Sequence, residues 1–142
     1  MTLVGNQTHT LDAKNRVFFP AKYREIMGSP IMITCNLDGC LSAFSVAEWE
    51  KYTEKVRSIP PDEGYDFKQI IFANAQWCTP DGQGRVSLTK SQVEYAKITG
   101  EVTFVGNDDH VRLWASEDPQ LESIINPKSL EEHRRTMRKY GV

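Results

Sequence analysis

Two short segments of the chain pair an aspartate with an arginine four positions later: Asp12 with Arg16, and Asp81 with Arg85. Asparagine or glycine, which favour tight turns, lies between the two charged residues in each case. A carboxylate across such a turn can hold a guanidinium through two parallel hydrogen bonds. A guanidinium oriented in advance loses little rotamer freedom on binding and can address a guanine edge or a phosphate. The spacing therefore indicates contact with DNA, and a plain ion pair that fixes the turn is the alternative.

Other polar and basic residues extend this candidate site. The candidate DNA-contacting residues are Asp12, Lys14, Asn15, Arg16, Lys22, Arg24, Asp81, Gln83 and Arg85. The second segment has fewer further bases nearby, namely Lys90 and Lys97, so we expect the first segment to make more of the contact. Each of these bases, taken singly, could equally be a solvated surface residue.

The two segments belong to an internal repeat, because Leu11–Val17 recurs as Pro80–Val86 at an offset of 69 residues. Each copy continues with a short apolar strand, a helix of about two turns and a β-hairpin. The expected helices run from Pro20 to Gly28 and from Lys90 to Ile98, and the expected hairpin turns contain Asp38-Gly39 and Gly106–Asp109. A copy of about 45 residues is too small to bury a convincing core, so the two copies must pack together.

The repeat divides the chain into four parts: a first unit at 5–47, a helical linker at 48–75, a second unit at 76–119 and a C-terminal helical tail at 120–142. Ser45 and Glu48 form a capping-box pattern for a linker helix that extends towards Arg57. A second linker helix is expected around Phe67 and leads into a strand at 76–79. The linker is therefore expected to be structured.

The pattern of short strands with connecting helices predicts an α+β fold that is mainly β. Its core candidates are apolar residues of the expected strands in both copies. They are Phe18, Phe19, Ile31, Ile33, Leu41, Phe44, Trp77, Leu88, Phe104, Val111, Leu113 and Trp114.

Composition and charge are those of an ordinary globular chain: 142 residues, 39% hydrophobic and 25% charged, with a net charge of −2. An acidic protein can bind DNA if its bases converge on one face, and the positive segments here are 1–28, 76–100 and 128–142. No stretch approaches the roughly 20 apolar residues of a membrane helix, and the N-terminus lacks a signal-peptide pattern. We therefore expect a cytoplasmic protein with no membrane partner and no small-molecule substrate.

Three cysteines, Cys35, Cys40 and Cys78, provide neither a disulfide framework nor a zinc pattern, so we expect no metal and no other cofactor. An enzyme could combine a cysteine with His110 and its neighbouring acids. However, Asp108-Asp109 lies in an expected hairpin turn, where acids are ordinary residues. No nucleophile motif or phosphate-binding glycine loop is present, and we expect a protein that is not an enzyme.

The C-terminal segment Ser129–Tyr140 has the pattern of a helix, with a second capping box formed by Ser129 and Glu132. Its bases are Arg134, Arg135, Arg138 and Lys139. They could contact DNA phosphates, or they could complement the negative end of the helix dipole, which is the interpretation we favour.

Four stretches of the sequence together resemble the MraZ family of transcription regulators. They are HTLDAKNRVFFPAKYRE at 9–25, LDGCLSAFSVAEWE at 37–50, DGQGRVSL at 81–88 and EVTFVGNDDHVRLW at 101–114. Their order and spacing are those of the family, and the resemblance covers residues 1 to about 120. The second copy departs from the family pattern at 88–90 and 92–93, which removes a base from its helix.

The resemblance implies a fold and a function. Members of the family hold two pseudo-repeated units of the SpoVT–AbrB type, which are related to swapped-hairpin or double-split β-barrels. They assemble as homo-oligomeric rings and bind short direct repeats in the promoter of the division and cell-wall gene cluster. The DNA-contacting motif of the family matches Asp12 to Arg16 and Asp81 to Arg85. The resemblance thus implies a nucleoid-associated regulator of double-stranded promoter DNA, and an oligomeric protein-interaction module without DNA binding is the alternative.

Overall fold

Eight short strands and six helices make up the computed structural model of the chain, which describes residues 2–142. The strands are β1 Asn6–Thr10, β2 Arg16–Phe18, β3 Ile31–Cys35, β4 Leu41–Phe44, β5 Gln76–Cys78, β6 Arg85–Ser87, β7 Glu101–Gly106 and β8 Val111–Ala115. The helices are α1 Ala21–Met27, α2 Val46–Arg57, α3 Pro61–Ala73, α4 Lys90–Tyr95, α5 Pro119–Ile125 and α6 Arg134–Lys139. A 3-10 turn, Glu131–His133, precedes α6.

The two repeats exchange their first strands. Six strands form one antiparallel sheet in the order β1-β7-β8-β4-β3-β5, and β2 pairs with β6 in a separate ribbon. Strand β1 of the first repeat therefore pairs with the hairpin of the second, and β5 of the second repeat pairs with the hairpin of the first. If each strand is replaced by its equivalent in the other repeat (β1 by β5, β3 by β7 and β4 by β8), the same order results, read from the opposite edge of the sheet. Neither repeat completes its part of the sheet without the other.

A pseudo-twofold axis passes through both sheets. Val17 pairs with Val86, its own equivalent in the second repeat. In the hairpins the offset between the repeats is one residue longer, so Ser42 pairs with its equivalent Arg112 at the centre of the six-stranded sheet. A residue that pairs with its repeat equivalent must lie close to a twofold axis. The β2–β6 ribbon and the β4–β8 pair are therefore centred on the same axis.

The prediction of a strand-rich α+β fold with two repeated units and connecting helices is confirmed. The barrel that the resemblance implied is not closed within residues 2–142, because β1 and β5 lie at opposite edges of an open sheet. Both hairpins occur where the sequence placed them. Within residues 2–142, no helix is long and apolar enough to span a membrane.

The main core lies between the six-stranded sheet and the layer formed by the ribbon, α1 and α4. Strand residues alternate in direction, so that Ile31 and Ile33 face this core while Met32 faces α2 and α3. Most of the predicted core residues are buried. Trp77 is the clear exception, with 44% of its surface exposed. It lies on the three-residue edge strand β5, where the sheet ends and gives little cover.

Both repeats use a helix side chain to tie down the segment that enters the exchanged strand. The hydroxyl of Tyr23 on α1 lies 2.9 Å from the carbonyl oxygens of Val4 and Gly5. At the equivalent position on α4, the buried Gln92 Nε2 donates to the carbonyl of Asn74 at 2.8 Å and also to that of Ile33 at 2.9 Å. The Gln92–Ile33 bond joins the second repeat to the first, whereas the Tyr23 bonds hold the entry to β1 within the first repeat.

The linker helices follow their predicted signals. Ser45 Oγ accepts a hydrogen bond from the backbone of Glu48, but the Glu48 carboxylate pairs with Lys51 at 3.3 Å and does not complete the predicted capping box. Helix α2 ends at Arg57 as predicted. Helix α3 then begins at Pro61, which suits the first turn because proline lacks an N–H. The linker is structured, as the sequence indicated.

Two helix boundaries differ from the prediction. Pro20 is the N-cap of α1 and not its first helical residue. Helix α4 ends at Tyr95, three residues early, because Lys97 has a φ of +56° that a helix cannot continue through.

The tail differs more from the prediction. It consists of α5, the 3-10 turn and α6, and not of one helix over Ser129–Tyr140. The Ser129 hydroxyl accepts from the backbone of Glu131, so the predicted capping box with Glu132 is wrong. The short α5 was not predicted as a separate helix, and its N-cap is Asp118, whose carboxylate accepts from the backbone of Gln120 at 2.9 Å.

Candidate nucleic-acid interface

The first loop is a tight turn organised by the carboxylate of Asp12. Its Oδ1 accepts from the backbone N–H of Lys14 at 2.9 Å and from that of Arg16 at 2.8 Å. Its Oδ2 accepts from Arg16 Nε at 2.8 Å. Asn15 adopts the left-handed conformation, with φ +59°, which asparagine tolerates better than most residues. The expected two parallel hydrogen bonds are therefore not formed, because the backbone donors of the turn occupy Oδ1.

The second loop repeats this geometry with different intervening residues. Asp81 Oδ1 accepts from the backbone of Gln83 at 2.9 Å and from that of Arg85 at 3.0 Å, while Oδ2 accepts from Arg85 Nε at 3.0 Å. Gly84 takes the position of Asn15, with φ +80°. Because the two loops share only the aspartate and the arginine, those two residues and one left-handed position define the turn.

The β2–β6 ribbon places the two loops side by side. Leu88 N donates to Asn15 O at 2.8 Å, and Phe19 N donates to Gly84 O at 2.9 Å, so each loop borders the strand of the other repeat. Arg85 Nη1 lies 3.9 Å from Asp12 Oδ2. The first carboxylate thus lies close to both guanidinium groups.

Both arginines point away from the core. Val17 and Val86, the central pair of the ribbon, are each 1% exposed, so the neighbouring positions face outward. The side chains of Arg16 and Arg85 are 32% and 30% exposed. They are diagonal neighbours on the ribbon, a relation that corresponds to about 7–8 Å between Cα atoms. The ribbon therefore presents two partly exposed guanidinium groups on one surface.

The remaining predicted residues divide into three groups. Lys14 and Gln83 occupy equivalent positions at the loop tips and are exposed. Arg24 lies behind the second loop, where its Nε donates to Phe19 O at 2.8 Å. Lys22 is not brought to the loops: its Nζ lies beside Gly5, at the opposite end of β1 from the first loop.

Ser87 was not among the predicted site residues. It pairs with Arg16 and lies exposed on the outer face of the ribbon. The alternation of directions along β6, starting from the buried Val86, was the signal that could have identified it. Its hydroxyl offers a further hydrogen-bonding group next to the first guanidinium.

Hydrogen bonding holds both loop carboxylates in the ionised form. The backbone N–H of Arg16 makes the largest contribution to lowering the pKa of Asp12, and the backbone N–H of Arg85 does the same for Asp81. The arginine side chains add to this effect. The carboxylates therefore keep the guanidinium groups oriented at any pH near neutrality.

We expect the carboxyl ¹³C resonances of Asp12 and Asp81 to titrate below the ordinary value of about 3.9. Because both pKa values are lowered in the folded state, the loops contribute their full stability above that value. This contribution is lost only as the pH falls through the lowered pKa. The variant Arg16→Ala keeps the backbone N–H, so the largest contribution to the lowered pKa of Asp12 should remain. Midpoints at or above the ordinary value would contradict this account of the turn.

A groove of about 770 Å³ lies on the other side of the six-stranded sheet, between α2 and the central strands. His110 and Asp109 line it, but none of the three cysteines does. Cys40 is buried near Trp114, and burial raises its thiol pKa to about 12. No cysteine–histidine pair suited to catalysis is thus formed in this groove. Residues 2–142 also contain no cluster of three or more metal-ligating side chains.

The basic residues of the tail lie outside the ribbon. Arg134, Arg135, Arg138 and Lys139 belong to α6 and are exposed. Arg134 pairs with Glu131 at 2.8 Å, a local contact within the tail. The tail therefore adds no observed contact to the two loops.

Comparison with known proteins agrees with this architecture. The chain matches the family model described as MraZ protein at residues 2–65 and 71–139. It is 40% identical over 116 residues to the transcriptional regulator MraZ of Carboxydothermus hydrogenoformans, covering 80% of this chain and 81% of that protein. It is 37% identical over 132 residues to the transcriptional regulator MraZ of Caldanaerobacter subterraneus subsp. tengcongensis, with 92% of each chain covered. For the protein of the same name from Caldicellulosiruptor saccharolyticus, the identity is 32% over 142 residues and 99% of each chain. The chain belongs to the MraZ family.

Proposed function

We propose that this protein is a sequence-specific DNA-binding transcription regulator. It binds short direct repeats in the promoter of the division and cell-wall gene cluster, and it acts on chromosomal DNA in the nucleoid. The observation that supports the proposal best is the pair of equally oriented arginines, Arg16 and Arg85, on one outward surface of the β2–β6 ribbon. The names of the relatives, which are transcriptional regulators, agree with it.

The geometry of the ribbon suits the major groove of DNA, which admits a two-stranded antiparallel ribbon. In each loop the aspartate accepts the Nε–H of its arginine, and the side chains of Arg16 and Arg85 are 32% and 30% exposed, so their terminal Nη groups are the donors left for a ligand. Those groups can donate two hydrogen bonds to a base edge, and a guanine offers two acceptors at the required spacing. Lys14 at the first loop tip can contact a phosphate, which fixes the register without reading sequence.

Assembly is the second part of the proposal. One protomer offers two arginines and a few further bases, a small positive surface for a chain of net charge −2. We propose that several copies form a ring that presents the loops repeatedly, so that binding of the first DNA repeat raises the effective concentration of the next. Exposed apolar side chains, among them Trp77 and Phe72, provide surface for such contacts.

A gel-shift experiment tests the proposal. The probes are the DNA fragment upstream of the protein's own coding sequence and an unrelated fragment of the same length and base composition. We expect preferential retardation of the upstream fragment, with affinity falling steeply as salt rises because bound phosphates release counterions. Sizing the protein by light scattering, alone and with DNA, tests the assembly. Absence of retardation at low salt would favour the protein-interaction module.

A further inference from the structure

Arg24 on α1 reaches from the first repeat to the loop of the second. Its Nε donates to the carbonyl of Phe19 at 2.8 Å, and its guanidinium carbon lies 5.2 Å from the centre of the Phe18 ring. A guanidinium so stacked on an aromatic ring and bonded at Nε has its plane fixed. The side chain is half-buried, unlike the exposed Lys22 two residues before it. Arg24 is therefore held in place by neighbouring groups and is not a freely moving surface side chain.

The guanidinium and the Phe18 ring both pack against Gly84. A methyl group added at Gly84 would lie 2.8 Å from Arg24 Nη2 and 2.9 Å from the Phe18 ring. Gly84 itself is buried, and its carbonyl accepts from Phe19 N at 2.9 Å. Gly84 is the residue directly before Arg85, so Arg24 contacts the backbone that sets the direction of that arginine. The glycine is required here both by its φ of +80° and by this close approach.

This contact has no counterpart in the first loop. The residue equivalent to Arg24 in the second repeat is Val93, which packs against the apolar core. The second loop is thus held from the first repeat on two sides, by Arg24 behind Gly84 and by Asp12 beside Arg85. The first loop carries its own additional base at the tip, whereas the second has the uncharged Gln83 there. The second loop therefore has less charge of its own and more contacts from the other repeat.

We propose that Arg24 is a positioning residue that holds the second loop so that Arg85 stays on the same outward face of the ribbon as Arg16, and that it does not contact DNA phosphate itself. The proposal rests on the proposed function, and it gives Arg24 a different role from the direct DNA contact expected from the sequence. Lysine cannot replace arginine in this role, because an ammonium group has neither the plane that stacks on Phe18 nor the Nε donor.

The test compares Arg24→Lys and Arg24→Ala with wild type, using the upstream fragment and the unrelated fragment over a series of salt concentrations. We expect both variants to lose about tenfold of the preference for the upstream fragment, since Arg85 would lose its orientation towards the base edge. The slope of log affinity against log salt should stay at the wild-type value in both. A phosphate contact would behave differently: alanine would reduce the slope by about 0.9, and lysine would preserve it.

A double-mutant cycle gives an independent measurement. Gly84→Ala should weaken the preference in the wild-type background and weaken it less in the Arg24→Ala background, because the clash with the guanidinium is then absent. The backbone strain at Gly84 and the contact with Phe18 are the same in both backgrounds and cancel in the cycle. Arg57→Ala, at the exposed end of α2, is the matched control for loss of a positive charge.

The outcomes separate the two proposals. If wild type shows no preference for the upstream fragment, the proposed function fails. If wild type shows the preference and Arg24→Lys keeps it, the positioning role of Arg24 is overturned while the function stands. Thermal unfolding of each variant identifies any that do not fold. If Gly84→Ala does not fold, the result for Arg24→Lys alone decides whether Arg24 has the positioning role.

Discussion

Replacing Arg16 with alanine is expected to weaken binding to the upstream fragment by about 10- to 100-fold at constant salt. The substitution removes the guanidinium of a side chain that is 32% exposed on the outer face of the ribbon. It keeps the backbone N–H that donates to Asp12 Oδ1 and the ladder bonds of β2, so the turn and the fold should remain. Fluorescence anisotropy with a labelled fragment measures the affinity, and light scattering measures the assembly.

Two further variants serve as comparisons for the Arg16→Ala result. Arg85→Ala should also reduce the affinity, and by less if the first loop makes more of the DNA contact, as the distribution of bases predicts. Arg57→Ala removes an equal charge on the opposite side of the sheet and should change affinity by less than twofold. Unchanged binding by Arg16→Ala would remove this residue from the interface and leave its ion pair with Asp12 as a purely structural contact.

Replacing Phe104 with alanine is expected to lower the free energy of unfolding by about 3–5 kcal/mol, a large part of the stability of a small domain. Phe104 is completely buried on β7, and its ring lies 5.2 Å from that of Phe19 and 6.1 Å from that of His9. Both of these partners belong to the first repeat. The cavity therefore opens between the two repeats and should affect both.

Urea denaturation monitored by fluorescence and by circular dichroism measures this effect. The two probes should give coincident transitions in wild type and in the variant, because the exchanged strands β1 and β5 join the repeats into one cooperative unit. Val46→Ala is the matched control, since its side chain is 41% exposed and its loss should cost little. Two separate transitions, with only one shifted by the Phe104 substitution, would contradict the coupling.

The exchange of strands also bears on how the loops act. Each loop lies between an exchanged strand and the ribbon, so the position of either loop depends on both repeats. The contact of Asp12 with both arginines and the packing of Arg24 behind Gly84 are two consequences. The chain therefore presents its two guanidinium groups on one surface and not at two independent sites.

The sequence alone determined the elements whose stabilising contacts are local. The turns from Asp12 to Arg16 and from Asp81 to Arg85 follow from contacts within five residues, and they appear where the spacing placed them. The N-cap of α2 at Ser45 is equally local. The repeat was visible because its spacing of 69 residues is a property of the sequence itself.

Only the tertiary structure decided how distant segments meet. No local signal shows that β1 pairs with the hairpin of the other repeat, that Arg85 approaches Asp12, or that Trp77 lies on an uncovered edge. The role of Arg24 was hidden for the same reason, since its partner Gly84 is 60 positions away and its charge alone predicts only a surface base. Pairing between strands depends on which apolar faces can be buried together, and that is a property of the whole chain.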